Sequence, residues 1–231
     1  MIIAIDGPSG AGKSTLGRML ARELGLLYID TGSMYRAVAL AVLESSVSAS
    51  DDIAVGSLAS RIDVDLKGEP DLLKVTLDGR DVTEAIRNEE VTQMSSVISA
   101  IPAVRRAMVA RQRELGKRGA VLNGRDIGTV VFPEADVKFF LTATPEARAR
   151  RRFIEEHQLG SEMTFDETLA DMIERDQRDS TRTDSPLRIA DEAVVIDSTS
   201  MSIQQVFERM VEVVRERSEH PRHKGANAQR S

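Results

Sequence analysis

Cysteine is absent from the 231 residues, which excludes disulfides, thiol nucleophiles and thiolate zinc sites. Tryptophan is absent too, and aromatic residues make up only 3% of the chain. A bound base would therefore be held by arginine planes, aliphatic walls and hydrogen bonds rather than by an aromatic cage. Positive charge is not in excess: the formal net charge of −6 offers nothing to nonspecific nucleic-acid binding, which favours a basic face or tail. No apolar run approaches the roughly 20 residues needed to cross a bilayer. Met1 leads straight into an apolar strand pattern with no leader-like segment ahead of it. The expectation is a soluble cytoplasmic protein with neither membrane nor nucleic acid as partner. Its length suits one α/β domain with insertions.

What is present is organised around Gly7-Pro8-Ser9-Gly10-Ala11-Gly12-Lys13-Ser14-Thr15, directly after Ile2-Ile3-Ala4-Ile5-Asp6. The spacing G-x-x-x-x-G-K-[ST], between a strand and a helix, is that of a phosphate loop. A triphosphate carries several negative charges, and a cage of backbone N–H groups at a helix N-terminus can bind them. Gly7, Gly10 and Gly12 let the backbone wrap closely. Lys13 would supply a mobile cation to the β- and γ-phosphates, and the Ser14 hydroxyl would ligate Mg²⁺. All nine residues, 7 to 15, are candidates for binding ATP.

Further along, Leu16, Met19, Leu20 and Leu24 recur at helical spacing and Gly25 suits a C-terminal cap. Leu26–Ile29 reads as a buried strand ending in Asp30-Thr31-Gly32-Ser33, with a helix opening at Met34. Polar residues at the C-terminal edge of a parallel strand sit where open α/β sheets bind ligands, although Asp30, Thr31 and Ser33 could merely cap that helix. Tyr35 and Arg36, one turn in, can face the same crevice. Between 63 and 88 the texture changes: Val64, Leu66, Leu73, Val75 and Leu77 alternate with polar residues, and Asp78-Gly79 supplies a turn. This predicts a small antiparallel insert. Helices follow over 88–99 and from Pro102, then strands over 120–123, 137–141 and 193–197, and an amphipathic helix from Ile203. Arg148, Arg150, Arg151 and Arg152 read mostly as a solvated helix face, from which one member could flank the ATP adenine or phosphates. From about residue 218 the chain lacks apolar anchors and is expected to be disordered; His220 and His223 there resemble a metal pair only superficially.

A phosphate loop alone does not choose a reaction. The Asn-Lys-x-Asp segment of guanine-specific proteins is missing. Arg36, Arg105, Arg125 and Arg182 are scattered in sequence, yet most fall near strand ends or helix starts, as a second anion site would require. The segments IDGPSGAGKST, IDTGSMYRA, DGRDVTEAIR, NGRDIGTVVFPEADVKFFLTA, ERDQRDSTR and IDST occur in this order. Over about residues 1–215 they resemble the bacterial cytidylate kinases of the nucleoside monophosphate kinase family. The resemblance implies an α/β P-loop three-layer fold with a parallel core sheet, a small antiparallel monophosphate-binding insert and a helical lid. The expected division is a core of 1–62, 89–155 and 186–217, an insert of 63–88, a lid of 156–185 and a tail of 218–231. It implies transfer of the ATP γ-phosphoryl group to CMP or dCMP with Mg²⁺ as cofactor.

Residue by residue, the resemblance places Thr31, Ser96, Arg105, Asp126 and Arg182 at the monophosphate site, with Arg125 beside Asp126, and Arg175 and Asp179 near the sugar hydroxyls. An acceptor carboxylate at Asp126 favours the exocyclic amine of cytosine over the carbonyl of uracil. Lys13, Arg178 and Arg182 would neutralise charge on the transferred group. The family more commonly has Ser at the position of Thr31, and the hydroxyl is kept. An acidic Mg²⁺ partner is not evident: Asp126 is claimed by the base and Asp30 is an alternative. The rivals are a kinase of the same fold acting on UMP, shikimate or a coenzyme precursor, and a nucleotide-dependent switch. No self-association helix is visible, so a monomer is expected.

Overall fold

The computed structural model describes residues 1–158 and 160–219; His220 and His223 lie outside the described residues, as does most of the expected tail. Five parallel strands form the centre: β1 (Ile2–Asp6), β2 (Leu27–Asp30), β6 (Ala120–Gly124), β7 (Val137–Thr142) and β8 (Val194–Asp197), in the order β2-β6-β1-β7-β8. β1 lies in the middle because it is apolar up to its last residue, as a strand covered on both faces must be. Leu16 and Leu20 of α1 (Lys13–Leu24) and Val206, Met210 and Val214 of α8 (Ile203–Glu219) bury one face of the sheet. The other face is covered by α2 (Thr31–Glu44) and α5 (Pro102–Gly116), with α3 (Asp52–Arg61) and α4 (Glu89–Ile98) packed on them. Three layers result, with the core divided between the two faces.

Local chemistry sets the boundaries. α1 stops at Gly25, which adopts φ 62° and closes the last turn with its N–H. α2 starts three residues earlier than its apolar spacing predicts, because Asp30 caps it by accepting the Ser33 N–H. The alternating segment folds as a three-stranded antiparallel sheet of β3 (Val64–Lys67), β4 (Lys74–Leu77) and β5 (Arg80–Asp81). Val64 faces Leu77 and Leu66 faces Val75, all four buried. Asp78 and Gly79 both take positive φ (50° and 79°), the geometry that joins a tight hairpin. Two more helices, α6 (Pro145–Gln158) and α7 (Phe165–Thr181), pack together, and a Thr164–Glu167 capping box starts the second. No described helix is long and apolar enough to cross a membrane.

Candidate active site

The C-terminal edge of the sheet gathers the chemistry. The loop after β1 curls because its glycines adopt conformations closed to other residues: Gly7 has φ 145°, and a Cβ there would meet the Leu141 carbonyl oxygen at 2.0 Å. Lys13 is predicted from sequence as a mobile cation, but here its side chain is folded back and only 7% exposed, with Nζ donating to the Pro8 carbonyl at 2.6 Å. Burial, then the charge of Arg125, pushes its pKa well below the ordinary lysine value. A bound polyphosphate would reverse both effects. The Ser14 hydroxyl accepts from Asn123 Nδ2 at 3.0 Å. Asn123 is the penultimate residue of β6, is 4% exposed, and accepts the Thr31 hydroxyl on its own carbonyl at 2.7 Å. Its Oδ1 is buried without a partner among the described residues.

Across from the loop lies a second, arginine-rich centre. Arg105 Nη2 meets Asp126 Oδ2 at 2.5 Å, both side chains being almost fully buried. The Arg105 guanidinium sits 5.5 Å over the Tyr35 ring. Burial pushes the Tyr35 hydroxyl up to about 12, against the opposing pull of Arg105. Asp179 of α7 accepts from Arg125 at 2.7 Å and from Arg182 at 3.4 Å. Burial opposes its carboxylate, but the two arginines outweigh that and hold its pKa low. Arg178 donates to the Ser96 hydroxyl at 2.8 Å, joining α7 to α4. Arg36 donates to Ser33 Oγ at 2.7 Å and lies 3.7 Å from Asp30. Arg175 is lowered to about 10, first by burial and then by Arg125. Arg182 is lowered by burial and by Arg105.

Contacts and electrostatic interactions thus link Tyr35, Arg105, Asp126 and Arg182, and link Arg125, Arg175 and Asp179 to one another and to Lys13, while Thr31 and Arg36 lie at the start of α2 and Ser96 is joined through Arg178. Among these arginines, Arg36 Nε, Arg105 Nε, Arg178 Nε and Arg182 Nη2 are buried N–H groups without partners among the described residues. Unpaired donors of this kind are expensive unless an anion completes them.

Three residues escaped the sequence pattern. Arg148 is not on a solvated face: it is 4% exposed, donates to the carbonyls of Ala143 and Ser9 at 3.0 and 3.1 Å, and meets Asp176 Oδ2 of α7 at 2.6 Å. Nothing in the run of four arginines marks which one turns inward. Asn123 hides in a strand whose other residues are apolar. Asp6 is the one with a readable signal, a carboxylate closing an otherwise apolar central strand. It is buried and accepts backbone N–H groups from Ile127 and Gly128.

A parallel sheet with a phosphate loop leaving its central strand, faced by a buried arginine centre, defines a P-loop phosphotransferase. The family model described as "Cytidylate kinase" matches residues 3–216. The chain is 49% identical to the cytidylate kinase of Syntrophotalea carbinolica over 220 residues, covering 95% of this chain and 94% of that one. It is 50% identical to the cytidylate kinase of Solibacter usitatus, covering 94% and 93%. An uncharacterized protein from Eubacterium ventriosum shares the fold at a TM-score of 0.51 and 10% identity, over 94% of this chain and 98% of that one. The chain belongs to the cytidylate kinase family.

Proposed function

We propose that this protein transfers the γ-phosphoryl group of ATP to CMP or dCMP, giving ADP and CDP or dCDP. The observation that carries this reading is the pair of anion centres at one sheet edge, close enough that Lys13 feels Arg125, Asp179 and Arg175. Family membership favours a cytidine acceptor over UMP, shikimate or a coenzyme precursor, and over a nucleotide-dependent switch.

Phosphoryl transfer needs charge neutralisation and in-line placement more than a strong base, and the CMP phosphate is already nucleophilic at neutral pH. The backbone of residues 7–15 holds the ATP phosphates while Lys13 leaves the Pro8 carbonyl for them. Arg36, Arg125 and Arg182 orient the acceptor phosphate, and Arg178 and Arg182 balance charge on the group in flight. Arg175 and Asp179 meet the sugar. Asp126 accepts from the cytosine amine, since a carboxylate has lone pairs to spare beside its Arg105 contact. Thr31 and Ser96 complete the rim. The Ser14 hydroxyl, steadied by Asn123, and the unpaired Asn123 Oδ1 fit a hydrated Mg²⁺ delivered with ATP. When bound, that ion neutralises β- and γ-phosphate charge. Residues 63–88 serve as the monophosphate-binding insert and 156–185 as the lid, with 1–62, 89–155 and 186–217 as the core. The protein works as a cytoplasmic monomer.

The test is a coupled ADP-release assay across CMP, dCMP, UMP and shikimate. CMP and dCMP should exceed UMP by at least about tenfold in kcat/KM, the scale of one lost buried hydrogen bond. Equal or better turnover of UMP or shikimate would overturn the reading.

A further inference from the structure

Asp6 has no place in the chemistry described so far. It ends β1 and immediately precedes Gly7, the first residue of the phosphate loop. Its backbone pairs in register with Gly124, where β6 leaves the sheet. Its carboxylate then receives the chain on its return: Oδ1 accepts the Ile127 N–H at 2.9 Å and Oδ2 the Gly128 N–H at 2.8 Å. Arg125 and Asp126 lie between those two points. They form a two-residue excursion pinned at both ends by one residue. Gly124 has little room to yield, since a Cβ there would meet Ile127 Cδ1 at 2.7 Å and Thr31 Oγ1 at 2.9 Å.

This is a costly residue for an anchor. Asp6 is 2% exposed, and burial pushes its carboxyl up to about 6 despite the two N–H groups it accepts. The charged groups that face it are Asp126, which raises it further, and Lys13, which lowers it. The Lys138 stem of β7 passes beside Gly128, and its Nζ donates to the Asp191 carbonyl. A carboxylate is the side chain that offers an acceptor oxygen to each of two adjacent amides; an asparagine offers one oxygen and turns an N–H toward the other.

We propose that Asp6 is the positioning residue that sets Arg125 and Asp126 against the phosphate loop, so that base selection in the acceptor site is held by the strand that carries the donor site. The inference rests on the assignment of Arg125 and Asp126 to CMP. Protonation of Asp6 withdraws one acceptor and loosens the excursion. Discrimination between cytosine and uracil then weakens as pH falls.

Two measurements test it. In Asp6→Asn, KM for CMP should rise at least about tenfold and the CMP-to-UMP ratio of kcat/KM should fall about tenfold, the loss of one buried hydrogen bond. ATP affinity by calorimetry should stay within about twofold. A folded variant with unchanged CMP-to-UMP ratio, or with CMP and ATP affinities lost in equal proportion, overturns the proposal. The second measurement needs no variant. The wild-type CMP-to-UMP ratio is followed from pH 7.5 to 5.5, where the titration of the two substrate phosphates cancels. It should decline through about pH 6, where the Asp6 carboxyl titrates; a flat ratio overturns the proposal. An enzyme that fails to use CMP at any pH refutes instead the assignment of function.

Discussion

The Arg148–Asp176 pair ties the phosphate loop to α7, the helix that carries Arg175 and Arg178, and its removal has a calculable cost. Arg148 Nη1 meets Asp176 Oδ2 at 2.6 Å, with side-chain exposures of 5% and 21%. Truncating one partner of a fully buried pair costs about 3–5 kcal/mol, because the remaining charge is left uncompensated. The fifth of Asp176 that reaches solvent reduces this to about 2–3 kcal/mol for that interaction. Arg148→Met also forfeits the bonds to Ser9 and Ala143, about 1 kcal/mol each, so its total loss is about 4–5 kcal/mol. Asp176→Asn keeps an acceptor and loses about 1–2 kcal/mol. Once Arg148 is gone, Asp176→Asn should cost nothing or restore stability, giving a coupling of about 1–2 kcal/mol in the cycle. Urea unfolding of the four proteins, with m-values unchanged, measures it. Single-variant losses that add to within about 0.5 kcal/mol would refute the contact as an energetic link. Because the Ser9 carbonyl loses its tie, KM for ATP should rise in Arg148→Met.

Lys13→Met should lower kcat/KM at least about 100-fold, the scale of one lost transition-state donor. Its effect on stability has the opposite sign. The folded-state pKa of Lys13 is depressed, so its contribution is present above the unfolded value and lost as pH falls through the folded one. At pH 7, below the unfolded value, Lys13 therefore opposes folding, and the variant without ligand should melt higher than wild type in calorimetry; a lower midpoint contradicts this. Gly7→Ala places a methyl 2.0 Å from the Leu141 carbonyl oxygen at φ 145° and should cost more than about 3 kcal/mol in urea unfolding. A wild-type midpoint would exclude the clash. Residues 156–185 should exchange amide hydrogens more slowly with CMP and a non-hydrolysable ATP analogue together than without ligands. Equal exchange in the two states rules out closure.

Most of the fold is legible in the sequence because its signals are periodic. The apolar run before Gly7, the alternation from Val64 to Leu77 and the Asp78-Gly79 turn each dictate one geometry. Boundaries are less legible where a side chain rather than a period decides. α2 starts at Thr31 because the Asp30 carboxylate is positioned to cap it. The loop residues of the donor site follow from spacing, but the acceptor residues come from eight separate places and only segment-by-segment resemblance collects them. Arg148 was hidden for a physical reason: a helix with four arginines in five positions has no pattern that says which points inward until α7 supplies Asp176. Asn123 was hidden because a buried amide in a strand looks like a packing choice until Ser14 and Thr31 are seen on either side of it.

The site works against the stability of the protein that carries it. The folded-state carboxyl of Asp6 is raised from 3.8 to about 6, so its contribution is present below the lower value and lost as pH rises through the higher one. Asp6, Lys13, Arg175 and Arg182 all have charged forms disfavoured by burial, and the charged forms of the three cations face Arg125 or Arg105 as well. Four arginine N–H groups stay buried and unmatched among the described residues. On the proposed function, the costs of the cations and of the unmatched donors fall when phosphate oxygens enter, because anions complete the donors and offset the cations, whereas Asp6, itself an anion, gains nothing from them. On that reading, binding energy at the two centres draws on unfavourable interactions that the bound phosphates relieve. A group transferred between them remains neutralised along its whole path, which is what an in-line phosphoryl transfer requires.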